Sequence, residues 1–521
     1  MKKDSTIQPQ SQPAPGESAG LRRFLYATAA ITGGAILIVE ILGAKMLAPF
    51  VGTSHFVWTA QITVTLLALA SGYYFGGWLV DRSPKLERLY FCILAAALYL
   101  AVTVPLTGPL AYLFLNLNLA VGALLSSLFL FFVPLTLLAA TGPFLVRILA
   151  RSLTNVGGQV GALSAVSTVG SVAGTLLIGY VLIPLLPNSW TMFATAALLA
   201  SLSGAYFALF GRRLKPALAG QGAVAVLIVL GAVAEAQGRP IKVKELFRGN
   251  SNFGTLQVIE SPRLQRRFFL NDYLVQNSYD PNSRKSSSLF TYMLHGLAHA
   301  YHTNLSSALC IGMGIGIVPM QLAVEGVRVE VVEINPAVIP VAEQFFDFDR
   351  KRMTIHIGDG RFFLNKNEKR FDAVLLDAFL GDSSPGHLMT REAFEGIRRA
   401  LTERGVLVIN SFGNFRPGEE MFTASLEKTV RAVFPYVTIH AAGNGNIFFV
   451  ASASPLVPGN FDTSQVAPDQ RDEVLTAWRT THTVPPEKGM VLTDDYNPIE
   501  FYDATNRERH RRILAEAIRD L

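Results

Sequence analysis

The sequence has few cysteines and few charged residues. Of its 521 residues, two are cysteines and 16% are charged, whereas 50% are hydrophobic, and the mean hydropathy is +0.33. Cys92 lies in an apolar segment and Cys310 in a predicted buried strand, which excludes a disulfide framework and a cysteine-rich metal site. So apolar a composition is rare in a soluble protein of this length, for which two domains are the natural expectation.

A basic cluster of the kind that binds nucleic acid is also missing. The net charge is +6, but the basic residues are scattered, and many flank apolar segments, where membrane topology accounts for them. We therefore predict no nucleic-acid partner. A short cleavable signal is absent as well. The first twenty residues are rich in proline, serine and glutamine, so residues 1–23 are predicted to form a disordered tail.

Long apolar segments occupy residues 24–236. A membrane-spanning helix needs about 20 mostly apolar residues. Seven segments meet this requirement, and in chain order they are 24–43, 57–80, 89–107, 122–146, 158–184, 190–210 and 217–235. The last is the weakest, because Gln221 lies within it. We predict a multi-pass α-helical membrane domain of about seven helices in the inner membrane of the cell, with the lipid bilayer as a partner.

Basic residues flank alternate ends of these segments. They are Lys2, Lys3, Arg22, Arg23, Arg82, Lys85, Arg88, Arg147, Arg151, Arg212, Arg213 and Lys215. The positive-inside rule then places the N-terminus in the cytoplasm. Seven spans would leave the remainder of the chain outside, whereas a domain that uses an intracellular nucleoside is expected in the cytoplasm. Three alternatives remain: the segment 217–235 does not cross, a further broken span is present, or the domain is external.

Residues 237–521 read as an ordinary α/β domain. Short strands joined by turns are predicted between residues 245 and 280, and a helix follows, so that 237–305 form a small β subdomain with its leading helix. From residue 306 onwards strands alternate with helices, which predicts a doubly wound, mostly parallel sheet. The predicted strands are Ala308–Gly312, Arg328–Glu333, Thr354–Ile357, Ala373–Asp377 and Val406–Asn410. A hairpin near 437–450 completes the sheet.

A run of glycines follows the first strand of this predicted sheet. Gly312, Gly314 and Gly316 allow the backbone to turn sharply and to approach a ligand closely. Glu333 ends the next strand, 21 residues after Gly312, where an acid can accept hydrogen bonds from both ribose hydroxyls. Strand, glycines, helix, strand and acid in this order predict a nucleoside-binding site.

The third and fourth predicted strands also end in acidic residues. Asp359 lies between Gly358 and Gly360, and it can accept a hydrogen bond from an adenine amino group. Asp377 ends the fourth strand, and Asp382 follows in the next loop. Ligands of open α/β sheets bind beyond the carboxyl ends of the strands. Both aspartates are therefore candidates for chemistry on the bound ligand.

These motifs, taken in order, resemble those of spermidine synthase. The resemblance rests on Val332-Glu333-Ile-Asn-Pro, on Gly358-Asp359-Gly360, on the Asp377 loop, and on Leu270-Asn-Asp-Tyr-Leu-Val-Gln276, which is similar to the Leu-Asp-Gly-x-x-Gln strand of the family. It runs from about Ser251 to Val450. The apolar half also resembles the extension of membrane-bound members of this family. The resemblance implies a Rossmann-like methyltransferase fold after a multi-pass membrane domain, with the cofactor domain at 306–521.

The resemblance implies that an aminopropyl group passes from decarboxylated S-adenosylmethionine to a diamine such as putrescine, without a metal. Asp377 would be the catalytic base, because a protonated amine must lose a proton before its nitrogen attacks the carbon beside the sulfonium. The residues that would hold the nucleoside are Gln276, Gly312, Gly314, Gly316, Glu333, Asp359 and Gly360. The amine would be held by Asp382, Tyr292, Asp494 and Asp495, the last two on a segment predicted to fold back over the strand ends.

Three departures from the family pattern leave the donor and the acceptor open. Ile315 stands where the family has an aspartate that binds the free amine of the decarboxylated donor, so nothing at this position repels the carboxylate of S-adenosylmethionine itself. The loop that carries Asp382 is longer than in the family, and Thr291-Tyr292 replaces a Tyr-(His/Gln)-Glu stretch. The alternatives are a different S-adenosylmethionine-dependent transferase, which would move a methyl or aminocarboxypropyl group, and a transporter or sensor whose domain binds a nucleoside without turnover. A homo-oligomer also stays open.

Overall fold

The computed structural model describes residues 19–51, 55–114, 117, 119–150, 156–211, 214–236, 243–272, 274–379, 385–443, 445–485, 487–503 and 506. Its N-terminal half is helical and its C-terminal half is α/β, as the sequence predicts. Of the predicted disordered tail, residues 1–18 lie outside the described residues. Residues 19–23 form the first turn of a helix, because the apolar run that follows extends the helix toward the N-terminus.

The N-terminal half consists of long apolar helices. Their bounds are α1 Ala19–Val51, α2 His55–Arg82, α3 Leu86–Phe114, α4 Leu119–Ala139, α5 Thr141–Leu149, α6 Val156–Leu177, α7 Ile183–Leu185, α8 Asn188–Leu209 and α9 Leu214–Ala236. A π-helical turn joins α6 to α7. In the described residues, six helices are long and apolar enough to cross a membrane, with α4 and α5 counted as one and α6 and α7 as another. The apolar part of α9 is shorter.

Small residues set where these helices approach one another. Gly34 of α1 lies against Gly170 and Gly174 of α6, where a Cβ atom on Gly34 would come within 2.8 Å of the Gly170 carbonyl oxygen. Gly72 and Gly76 of α2 face the backbone of α4 and the residue that follows it in the same way. Small residues four positions apart allow close backbone contact, which favours helix packing in a bilayer.

The bundle has two chemically different ends. At one end Thr28 of α1 hydrogen-bonds Tyr90 of α3 over 2.8 Å. We call this the basic end, because the charged residues near it include Arg22, Arg23, Arg82, Lys85, Arg88 and Arg147. At the other end Phe50 of α1 packs edge-on against Tyr112 of α3, with ring centroids 5.2 Å apart. The helices therefore run the full height of the bundle in alternating directions.

Helix α9 runs antiparallel to α8. Gly231 lies against the ring of Phe193, and the side-chain amide of Gln221 donates a hydrogen bond to the Ala200 carbonyl over 3.3 Å. Gln221, the residue that weakens this segment as a span, thus has a partner inside the bundle. The chain leaves α9 at the end opposite the basic end.

A five-stranded antiparallel sheet follows the bundle. Its strands, paired in chain order, are β1 Lys244–Ser251, β2 Gly254–Ser261, β3 Arg266–Asn271, β4 Leu274–Asp280 and β5 Lys285–Ser286. Strand β1 contacts α7, so this sheet lies at the end of the bundle where α9 finishes. Helix α10, Leu289–Tyr301, comes next. The predicted small β subdomain with its leading helix is present in this form.

The second sheet has eight strands in the order β13-β11-β12-β10-β9-β6-β7-β8. The strands are β6 Ser307–Ile311, β7 Arg328–Glu333, β8 Thr354–Ile357, β9 Phe371–Leu376, β10 Leu401–Phe412, β11 Tyr436–Ala441, β12 Asn446–Ser452 and β13 Thr481–His482. Strands β6 to β10 pair in parallel, and β11 to β13 pair antiparallel. The predicted doubly wound, mostly parallel sheet with a terminal hairpin is confirmed.

Helices between these strands cover the sheet. They are α11 Ile317–Val324, α12 Val338–Phe345, α13 Gly360–Lys366, α14 Arg391–Ala400, α15 Met421–Arg431 and α16 Arg471–Arg479. Every residue of the central strand β6 is buried, as expected for a parallel strand with helices on both faces. The strand order reverses between β6 and β9, and the carboxyl ends of these two neighbours form the switch point at which ligands of such sheets bind.

Candidate active site

The glycine loop after β6 adopts a backbone that favours glycine. Gly312, Gly314 and Gly316 have φ values of +88°, +54° and +80°, a region that L-residues rarely occupy. A Cβ atom on Gly312 would collide with the carbonyl of Asp377, and one on Gly316 would collide with the ring of Phe348. The loop can therefore turn tightly between β6 and α11 only with glycine at these positions.

Glu333, at the end of β7, holds this loop. It is 7% exposed. One carboxylate oxygen accepts a hydrogen bond from the backbone N–H of Met313 over 3.0 Å, and the other accepts one from the N–H of Asn335 over 2.8 Å. Burial raises the pKa of Glu333, and these backbone donors oppose that effect. That this carboxylate also accepts hydrogen bonds from the ribose hydroxyls stays a prediction.

Asp359 caps the N-terminus of α13 and is paired with a histidine. Its Oδ1 accepts a hydrogen bond from the N–H of Phe362 over 2.9 Å, and its Oδ2 lies 2.7 Å from Nε2 of His387. Burial acts to raise the pKa of Asp359, but the Phe362 N–H and His387 outweigh it, so that the pKa is lowered. His387 does not feature in the sequence prediction, because its partner lies 28 residues away and no motif joins the two.

Asp377 follows β9 and is half-buried. The side-chain amide of Asn410 donates a hydrogen bond to its Oδ1 over 2.8 Å, and the amide of Asn446 donates to Asn410 over 3.0 Å. Burial raises the pKa of Asp377 to about 6, the Asn410 hydrogen bond lowers it, and the negative charge of Glu333 raises it again. A carboxylate with such a pKa can accept a proton near neutral pH.

A cavity of about 220 Å³ connects these groups beyond the carboxyl ends of the strands. Three carboxylates line it among the described residues, those of Glu333, Asp359 and Asp377. Its apolar wall includes the aromatic rings of Phe253, Phe269, Phe290, Phe379 and Phe412. The cavity thus combines polar groups suited to a nucleoside with an apolar surface. Of its three carboxylates, that of Asp377 lies at the switch point.

Most residues of the predicted nucleoside site line this cavity. They are Gln276, Gly312, Gly314, Glu333, Asp359 and Gly360, and Asp377 joins them. Gly316 lies outside the cavity lining, at the N-cap of α11. Asp382 lies outside the described residues.

The other predicted amine-binding residues have different surroundings. Tyr292 is buried, and its hydroxyl donates a hydrogen bond to the Ser286 carbonyl over 2.6 Å. Asp494 accepts hydrogen bonds from Arg361 over 2.8 Å and from Thr390 over 2.7 Å, and Asp495 is exposed. None of the three is part of the described cavity lining. Asp494 thus has a structural role between α13 and α14, since Arg361 lies on the first and Thr390 caps the second.

Ile315 is also absent from the cavity lining. Its side chain is 1% exposed and belongs to the same apolar cluster as Val318 and Leu322 of α11. The glycine loop therefore directs position 315 into the core in this chain. The resemblance predicts residue 315 beside the donor, but its side chain packs in the core instead.

A comparison with known protein families finds a match in the α/β half of the chain. A family model described as "Spermine/spermidine synthase domain" matches residues 288–455. The polyamine aminopropyltransferase of Vibrio vulnificus is 40% identical over 110 residues, which cover 20% of this chain and 37% of the relative. The N-terminal histidine N-methyltransferase of Emericella nidulans is 33% identical over 136 residues, or 25% of this chain and 24% of the relative. The chain thus matches well under half the length of either relative.

A solved spermidine synthase in complex with the transition-state analogue AdoDATO is similar to this chain at 20% identity. The similarity covers 44% of this chain and 88% of the solved one, with a TM-score of 0.36.

Proposed function

We propose that this chain transfers an aminopropyl group from decarboxylated S-adenosylmethionine to an amine, because its C-terminal half carries a spermine/spermidine synthase domain. The observation that carries the proposal is the half-buried Asp377 at the switch point, which lines the cavity beside the glycine loop and the paired Glu333. The cavity joins a nucleoside site to one proton acceptor. That combination suits transfer from a sulfonium nucleoside to a nitrogen nucleophile.

The proposed reaction needs one proton acceptor, and the site supplies it. The lone pair of an amine nitrogen attacks the methylene carbon next to the sulfonium, a C–N bond forms and the C–S bond breaks. The sulfur leaves with the bonding electrons as neutral methylthioadenosine. Asp377 accepts the proton that the nitrogen loses. Glu333 and Asp359 hold the nucleoside through this step, and positioning supplies much of the rate because the sulfonium is already a good leaving group.

Product analysis on the full chain tests this proposal. The purified protein is incubated with decarboxylated S-adenosylmethionine and a panel of mono- and diamines, putrescine included, and methylthioadenosine is measured by mass spectrometry. We expect methylthioadenosine and the aminopropylated amine in equal amounts. Asp377→Asn should abolish both products, and Asp372→Asn, at the opposite end of the same strand, should retain them. Full activity of Asp377→Asn would refute the role of Asp377.

A second candidate is a transferase that uses S-adenosylmethionine itself. It is favoured by Ile315, which supplies no carboxylate to repel the donor, and by the similarity to a histidine N-methyltransferase. The same assay with S-adenosylmethionine separates the two. S-adenosylhomocysteine would indicate methyl transfer, and methylthioadenosine would indicate aminocarboxypropyl transfer. Neither product should form if the first proposal holds.

Anchoring in a membrane is the third part of the proposal. Six helices among the described residues are long and apolar enough to cross one, and the basic end of the bundle suits the cytoplasmic side. Helix α9 runs along α8 and finishes at the end of the bundle opposite the basic end, where β1 contacts α7. These helix directions favour an external transferase domain over the cytoplasmic location expected from its cofactor.

Cysteine labelling tests this topology. Single cysteines replace Ser283, exposed in the α/β half, or Lys85, exposed at the basic end, in a chain without Cys92 and Cys310. An impermeant maleimide should label Ser283→Cys in intact spheroplasts and Lys85→Cys only after lysis. If Ser283→Cys, like Lys85→Cys, is labelled only after lysis, α9 does not cross and the domain is cytoplasmic.

A further inference from the structure

Two histidines and a glutamate converge between α10 and α11. His295 and His299 lie four residues apart on α10 and therefore share one face of the helix. Their Nε2 atoms lie 2.9 Å from the carboxylate oxygens of Glu325, which caps the C-terminus of α11. The imidazole side chains are 14% and 33% exposed. Neither histidine lines the nucleoside cavity, so the proposed reaction makes no use of this cluster.

We propose that His295, His299 and Glu325 bind a zinc ion. The three ligand atoms lie within 4.8 Å of one another. Zinc–nitrogen bonds of about 2.0–2.1 Å in a tetrahedral site put neighbouring ligand atoms about 3.3 Å apart, so small rotations of these side chains suffice. Two imidazoles and a carboxylate are a donor set that zinc prefers, and a water molecule would complete the tetrahedron.

The charges around the cluster suit a divalent cation. Two neutral imidazoles and one carboxylate carry a single negative charge, and Asp462 lies close enough to interact electrostatically with both histidines. Lysine and arginine are absent from the described partners of Glu325. Two Nε2 atoms from one face of α10 thus meet the same carboxylate at the end of α11.

The ion would join two helices that border the cavity. Helix α11 begins directly after Gly316, the last residue of the glycine loop, and α10 carries Phe290, which lines the cavity. Metal binding stabilises the folded state that presents the ligands. The zinc ion would thus have a structural role, because it joins α10 to α11 without contacting the groups of the proposed reaction.

Zinc titration of the full chain tests the site. The protein, with an affinity tag that contains no histidine, is purified in detergent, stripped with a chelator and titrated with zinc chloride by calorimetry. We expect one zinc ion per chain. His299→Gln and Glu325→Gln should each weaken binding by about 100-fold or more, since loss of outer-shell partners alone costs 10–100-fold. The matched control is His356→Gln, in a histidine–glutamate pair elsewhere on the domain, and it should bind zinc like the parent.

Two further measurements complete the test. Zinc should raise the Tm of the parent and of the control but leave that of Glu325→Gln unchanged. A single cooperative unfolding transition without zinc, at a Tm close to that of the stripped parent, shows that each variant is folded, so a loss of zinc binding cannot be attributed to unfolding. A parent that binds no zinc, or a Glu325→Gln variant that binds it as tightly as the parent, would overturn the proposal. Because no turnover is measured, either result is independent of the proposed reaction.

Discussion

The amide of Asn410 donates a hydrogen bond to the Asp377 carboxylate over 2.8 Å, and Asn446 supports that amide over 3.0 Å. Asp377 directly follows β9, Asn410 lies on β10 and Asn446 begins β12, and these three strands are neighbours in the sheet. The chain of amides fixes the orientation of the carboxylate and stabilises its ionised form. Burial has the opposite effect and is the stronger of the two, which leaves the pKa near 6.

Removal of the Asn410 amide should shift the pH dependence of the reaction. Asp377 must be ionised to accept a proton, so the rate falls as the pH drops through its pKa, about 6 in the parent. Asn410→Ala removes a donor that lowers this pKa, and the acidic limb of kcat against pH should move up by about one unit. Asn365→Ala, on the exposed face of α13, is the control. An unshifted limb in Asn410→Ala would show that another group sets it.

Neutralisation of Asp377 should stabilise the fold while it abolishes activity. The pKa is raised from an ordinary 3.8 to about 6, so ionisation destabilises the folded chain as the pH rises through this range. Above the folded pKa the cost is up to about 3 kcal/mol, and below the ordinary pKa it is absent. Asp377→Asn should therefore raise Tm more at pH 8 than at pH 5.

The opposite end of the same strand provides the control for that experiment. Burial acts to raise the pKa of Asp372, but hydrogen bonds from Ser306 and Ser307 outweigh it and leave the pKa lowered. The ionised form of Asp372 thus contributes stability above its ordinary pKa. Asp372→Asn should lower Tm at pH 8. Equal Tm changes in the two variants would contradict the assigned electrostatics.

Glu333 should be needed for nucleoside binding. Glu333→Gln replaces an acceptor of two backbone hydrogen bonds by a group with one acceptor oxygen, and it removes the charge that ribose hydroxyls face. We expect methylthioadenosine to bind about 1–3 kcal/mol more weakly by calorimetry. Glu330→Gln, on the same strand but paired with Lys369 and His356, should bind it like the parent. Unchanged affinity in Glu333→Gln would place the nucleoside elsewhere.

An aspartate at position 315 should destabilise the chain rather than select a donor. Ile315 is 1% exposed within an apolar cluster, and a carboxylate there loses its hydration without a partner among the described neighbours. Ile315→Asp should reduce the free energy of unfolding by at least about 2 kcal/mol, seen as a lower Tm, and Ile315→Val should have little effect. A stable Ile315→Asp variant with a new preference for the decarboxylated donor would mean that this side chain reaches the cavity.

The α/β half should fold without the helical bundle. Its buried clusters contain only residues from Leu256 onwards, whereas the cluster of the bundle ends at Val224. Residues 237–521 expressed alone should bind methylthioadenosine with the affinity of the full chain, although the lost contact between α7 and β1 leaves an exposed surface. A well-folded truncation without affinity for the nucleoside would show that the bundle completes the site.

The sequence by itself determined the architecture and much of the lining of the proposed nucleoside site. Long apolar runs allow a helical bundle, and strands of buried residues between helical segments allow a parallel sheet. In such a sheet the residues after each strand meet at one edge, so Gly312, Glu333, Asp359 and Asp377 come together from their positions in the chain alone. The periodicity of the sequence and the direction of the strands, both local properties, were sufficient to predict that these four residues meet.

Only the tertiary structure decided which side chains meet. His387 pairs with Asp359, and Asn410 pairs with Asp377, because loop and strand neighbours are set by packing. The same packing buries Ile315 and joins Asp494 to Arg361, although sequence spacing suggested a place near the substrate for both. Spacing along a chain fixes which strand end a residue occupies, but the orientation of its side chain depends on what the rest of the fold brings against it.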